Sequence, residues 1–147
     1  MSLELSSKAV TPFLATVAAV MVSFSAVAEP PRADHPILGA WSVTSPGSAC
    51  VESGTFDMDG HYRSTSAQEI AVSEYTISSQ PSEKGFYKVV DVIVQTNGLA
   101  DCSGNATPIG DVATFYVRFS DANDGFMLCA KESMNACFAA AHRSPTI

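Results

Sequence analysis

The chain has 147 residues, and its 15 acidic against 8 basic side chains give a net charge of −7. That length is one domain's worth, long enough to bury a single core. An acidic balance offers no electrostatic footprint for nucleic acid or anionic lipid, so neither is expected as a partner.

The first element is a leader. Pro12–Phe24 is an apolar run of about 13 residues, short of the roughly 20 that span a bilayer. It leads into Ser25-Ala26-Val27-Ala28, where the small residues Ala26 and Ala28 form the A-x-A pattern that a signal peptidase reads. Residues 1–28 are therefore expected to be a cleaved signal peptide, with no membrane span left after cleavage. Residues 29–147 would be exported to an oxidising space, periplasmic or secreted. No Cys stands at the cleavage point and no Arg pair precedes the run, which argues against lipidation and twin-arginine export. Loss of Lys8 and Glu4 with the leader keeps the net charge at −7.

Residues 29–36 form a proline-rich lead that cannot join a sheet ladder and is expected to be loose. From residue 37 to residue 147 the chain reads as a single disulfide-stapled β-domain, with helical periodicity nearly absent. Strands are expected at Ile37–Thr44, Ala49–Phe56, His61–Ser66, Ile70–Ser78, Phe86–Gln95, Val112–Ser120, Phe126–Lys131 and Ala136–Arg143. Turn chemistry separates them: Ser45-Pro46-Gly47, Asp57 to Gly60, Gln80 to Gly85 and Asp121 to Gly125. A longer loop opens at Asn97-Gly98 and runs to about Asp111.

Eight strands in simple succession favour an all-β fold, a small antiparallel up-and-down barrel without an open edge. A two-sheet β-sandwich is the alternative at this length. Along Val112–Ser120, Phe115, Val117 and Phe119 share one face, and Thr114, Tyr116 and Arg118 share the other. Phe86–Gln95 is partly apolar on both faces, which suits either a covered strand or a patch for a partner.

Gly39-Ala40-Trp41 gives a G-x-W pattern at the start of the first strand and holds the single Trp. With Ile37-Leu38 before it, this opening resembles that of lipocalin-like (calycin) β-barrels. Gly54 to Tyr62 also looks like the second hairpin of small bacterial lipocalin-like domains. The resemblance covers about residues 37–143 and implies that Trp41 plugs the closed end of a barrel. It also implies that an Arg from the last strand, matched here by Arg143, lies across the indole. Such a guanidinium–indole contact is worth about 0.5–2 kcal/mol. The resemblance implies a barrel fold of the kind that can enclose a cavity, and carries over no ligand.

Four cysteines allow three pairings. Cys129 and Cys137 flank the last hairpin and sit opposite each other if its turn centres on Ser133, so Cys129–Cys137 is expected. That leaves Cys50–Cys102 to tie the second strand to the long loop. None is in C-x-x-C spacing, and His35, His61 and His142 are scattered, so no metal site is expected and the imidazoles read as isolated surface groups. The loops at Asp57 and Asp121 lack the spaced Glu of a calcium-binding hand. Nucleophile elbows, phosphate-cradling loops and nucleotide fingerprints are absent, so no cofactor and no catalytic residue is assigned. Asn105-Ala106-Thr107 is a formal glycosylation triplet, weakened by Pro108.

Three functional readings follow, in order of preference. The first is an exported barrel that binds a small apolar or amphipathic ligand. Its walls would be Tyr62, Tyr75, Phe86, Phe115, Tyr116 and Phe119, with Arg118 able to anchor a ligand carboxylate. The second is a protein-interaction module, such as an enzyme inhibitor or an envelope-complex subunit, that uses the loop Asn97–Asp111 and steers a basic partner. The third is a small enzyme, which requires at least two of Glu52, Glu74, Asp91 and Arg118 to converge in one pocket.

Overall fold

The computed structural model describes residues 30–145, so the expected signal peptide lies outside the described residues. Eight strands follow one another: β1 (Gly39–Thr44), β2 (Val51–Phe56), β3 (His61–Ser66), β4 (Glu69–Ile77), β5 (Tyr87–Thr96), β6 (Val112–Phe119), β7 (Gly125–Cys129) and β8 (Cys137–Arg143). Each pairs antiparallel with the next, and β8 pairs back onto β1, so the sheet closes into an up-and-down barrel. Closure removes the sandwich alternative. The architecture is compatible with a lipocalin-like barrel.

Side-chain alternation decides what faces inward. On β4, Glu69, Ala71, Ser73, Tyr75 and Ile77 are buried, while Ile70 and Glu74 are exposed. A bulge in β5 opposite Val72 and Ser73 shifts the register, so that Ser73 pairs with Ile93 but Val72 pairs with Gln95. This keeps Thr96, paired with Ala71, in line with the inward face beyond the bulge. Gly54 on β2 is a local necessity. A Cβ there would stand 2.3 Å from the Tyr62 ring, which fills the space of the missing side chain.

The two ends of the barrel differ in chemistry. At the closed end, Trp41, Phe56, Tyr75, Ile77, Val89, Val117, Phe126 and Ala141 form one buried cluster with Ile37. The Trp41 indole N–H donates to Ile37 O at 2.7 Å, and its ring meets Phe126 edge-on at 4.6 Å between centroids. Burial of this many aromatic and aliphatic groups supplies the main driving force for closure.

The lead is not loose. Pro31 and His35 are buried, and His35 sits edge-on to Tyr87 with ring centroids 4.9 Å apart. The Ile37 N–H donates to His35 Nδ1 at 3.1 Å, and Nε2 donates to Ser78 O at 3.3 Å. Burial lowers the His35 pKa, in keeping with a neutral ring that donates through Nε2. His35 is thus a wedge under the barrel floor, where the sequence pointed to a surface imidazole. A proline-rich segment cannot join a ladder, but nothing prevents it from docking across an open barrel end.

Candidate functional site

The opposite end carries the disulfides and the polar groups. Cys50–Cys102 ties the chain just before β2 to the loop of residues 97–111, and Cys129–Cys137 joins β7 to β8. Two disulfides fit an oxidising compartment. The loop is held by more than its bridge. Glu69 accepts from the Thr107 N–H at 2.7 Å and from the Thr107 hydroxyl at 3.0 Å. The Ser66 hydroxyl donates to Glu52 at 2.6 Å and accepts from the Cys102 N–H at 3.0 Å. Asn97 accepts from the Ile70 N–H and donates to Gln68 O.

Beneath this loop lies a cavity of about 190 Å³, lined on its acidic side by Glu52, Glu69, Asp91 and Asp101. Tyr62, Ser73 and Ile93 complete its inner wall. Burial pushes the Asp91 carboxyl up to about 6; the nearby Ser73 hydroxyl offsets part of that rise without forming a hydrogen bond of ordinary geometry. Burial, followed by the charges of Asp91 and Glu52, raises the Tyr62 phenol well above its usual range. Asp101 is held low by its hydrogen bond with Ser103. Among the described residues, no group of three or more His, Cys, Asp or Glu side chains could hold a metal ion.

The residues singled out in the sequence fall into separate places. Tyr62 lines the mouth cavity while its ring stacks on Phe56 at 4.1 Å. Tyr75 packs edge-on against Phe56, and its hydroxyl donates to Asp57 O at 3.0 Å. Phe119 packs among Trp41, Tyr87 and Phe126. Phe115 is half-buried against the same core. Tyr116 and Arg118 occupy the alternate positions of β6, and Arg118 is exposed, lying over the ring of buried Phe86. Most of these aromatics are therefore packed against other side chains. Of the four groups considered for catalysis, Glu52 and Asp91 line one cavity; exposed Glu74 and Arg118 do not reach it.

Two groups at this end were not singled out in the sequence. Glu69 lies just before the expected strand Ile70–Ser78, yet it opens β4 and is buried. Ser73 is equally inconspicuous. Both follow from stepping back in twos from Ile77 and Tyr75 along β4. A larger recess lies on the outer surface, about 600 Å³ between Pro30, Pro31, Lys88 and Val90.

The fold and site together define a closed eight-stranded barrel with a packed aromatic floor and a polar mouth under a bridged loop. In comparisons with protein-family models, curated proteins and solved structures, nothing matches the chain. No helix among the described residues is long and apolar enough to cross a membrane.

Proposed function

We propose that the protein works in an exported, oxidising space as a protein-interaction module, with the loop of residues 97–111 as its contact element. One observation carries this reading: the loop is fastened at several points and still presents apolar side chains to solvent. Leu99 is 49% exposed and Ile109 is 66% exposed. Ile70, Val94 and Val112, on the strands at the loop's base, are exposed as well. A loop ordered before binding loses little entropy when it docks. Exposed aliphatics on a rigid support are what a partner's apolar surface can cover. The acidic net charge favours encounter with a basic partner.

The reading as a carrier of an apolar ligand has less support. Tyr75, Phe115 and Phe119 pack into the core, Tyr116 takes the alternate face of β6, and the cavity left at the mouth is lined mainly by polar groups. Its volume of about 190 Å³ is also below the roughly 300 Å³ at which drug-sized pockets begin. A lipocalin-like kinship is supported by the G-x-W opening, the closed barrel and the Trp41–Arg143 contact.

Photo-crosslinking tests the proposal. A photoactivatable phenylalanine at Ile109 is expected to give a discrete protein adduct in the envelope fraction. The same probe at Met58, exposed in the turn at the other end of the barrel, is expected to give none. Equal adducts from both positions, or none from Ile109, would count against the loop as the contact element.

A further inference from the structure

The mouth cavity holds polar atoms that the fold itself does not satisfy. Ser73 is only 1% exposed and lines the cavity, yet its hydroxyl, beside the Asp91 carboxyl, makes no hydrogen bond of ordinary geometry. Asp91 Oδ1, on the paired strand β5, is buried and unpartnered too. Buried polar groups left in this state are uncommon, because each forfeits its hydration without compensation.

Charge makes the shortage specific. The ionisable groups facing the cavity are Glu52 from β2, Tyr62 from β3, Glu69 from β4, Asp91 from β5 and Asp101 from the loop. No Lys, Arg or His lines it. The ion pairs among the described residues are Arg32–Asp34, His61–Asp59 and Arg63–Asp57, which leave all four of these acids without a cation. Glu69 is committed to Thr107 and Glu52 accepts from Ser66 through one oxygen, whereas Asp91 is the acid whose open oxygen is buried. Water can satisfy hydrogen bonds, but it does not offset charge.

We infer that the mouth cavity is a binding site for a primary ammonium group, held between Asp91 Oδ1 and the Ser73 hydroxyl with Glu52 contributing charge. A metal ion is a poorer match because the acids are spread along the wall and do not converge on a point. At about 30 Å³ per water, the cavity displaces about six waters, room for a short-chain amine. The lining includes exposed Thr65 and half-buried Asp101, so the cavity reaches solvent beside the loop. The ammonium can come from a free amine or from a lysine side chain of a docked protein. This site does not depend on the loop's outer face being a docking surface.

Calorimetric titration of the exported chain at pH 8 tests the inference, with n-butylammonium and Nα-acetyl-lysine methylamide as probes. Saturable one-to-one binding of butylammonium, and none of n-butanol, is expected. Binding of the butylammonium alone assigns the site to a free amine; binding of both assigns it to a lysine side chain. Asp91→Asn should weaken binding by at least about tenfold and Ser73→Ala by about threefold. Ser73→Ala removes one hydroxyl from a packed wall, so it serves if the Asp91 variant alters the near-ultraviolet circular dichroism. Binding should also fade as the pH falls below about 6, where Asp91 takes up its proton. The inference is overturned if no saturable binding occurs, if butanol binds equally, if both variants bind like the parent, or if sodium displaces the amine at equal concentration.

Discussion

Trp41 and Arg143 are register partners across the seam where β1 meets β8, and the guanidinium carbon stands 4.0 Å from the indole centroid. The same guanidinium donates to Pro36 O at 2.8 Å, to Asn123 O at 3.3 Å and, closely, to Leu38 O. One side chain therefore fastens the seam, the lead and the β6–β7 turn. Gly39 belongs to this arrangement: its φ of +109° suits glycine, and a Cβ there would stand 2.7 Å from Arg143 Nη1.

Arg143→Ala should cost about 2–3 kcal/mol, from the lost cation–π contact and the backbone acceptors left unpaired. Arg143→Lys should cost about half as much, since an ammonium cannot reproduce the planar fork. Urea unfolding followed by the fluorescence of Trp41 measures both. Arg118→Ala, which removes an exposed guanidinium lying over Phe86, should stay below about 1 kcal/mol.

Gly54→Ala forces a methyl into the Tyr62 ring and should destabilise by about 2 kcal/mol or more. In a Tyr62→Val background that penalty should shrink by more than half, because the colliding ring is gone. Additive effects in the double-mutant cycle would show that the two residues do not share this space.

Asp91 makes stability depend on pH in a defined direction. Its carboxyl rises from 3.8 in the unfolded chain to about 6 in the barrel. The folded state therefore holds this proton more tightly, and the associated stability is present below about pH 4 and lost as pH rises through 6. Asp91→Asn, neutral throughout, should gain about 2–3 kcal/mol over the parent at pH 8 relative to its effect at pH 4. Unfolding midpoints at the two pH values in amine-free buffer report the difference.

The bridge Cys50–Cys102 closes a segment with a sequence separation of 52 residues. Chain entropy assigns such a closure about 4 kcal/mol. Replacing both cysteines with serine should lower stability by up to that amount and make the loop the first site cut by added protease. Unchanged stability and cleavage would mean that Glu69 and Asn97 hold the loop without the bridge.

Local rules made much of the barrel legible. Strand positions followed from turn chemistry such as Asp57 to Gly60, and the inward face of β6 from strict alternation. The disulfide across the last hairpin followed from two cysteines flanking one turn. The seam between Trp41 and Arg143 came from a family resemblance, since nothing local tells a strand which distant strand will close the sheet. What escaped depends on tertiary position. His35 looks exposed in a proline-rich lead, and only the barrel floor above it decides its burial. Asp91 and Glu74 are both mid-strand acids, and register alone sends one into the cavity and the other to solvent. The β5 bulge leaves no mark in its Val-rich sequence, and Glu69 hides at the edge of a turn.

Both functional proposals require the loop of residues 97–111 to stand preformed over the mouth. Amide hydrogen exchange measures this directly at Cys102 and Thr107, whose N–H groups donate to Ser66 and Glu69. Exchange slowed at least about 100-fold relative to free peptide, approaching that of β4, is the expected result. Exchange at the free-peptide rate while β4 remains protected would contradict a preformed loop, and with it both the docking surface and the roof of the cavity.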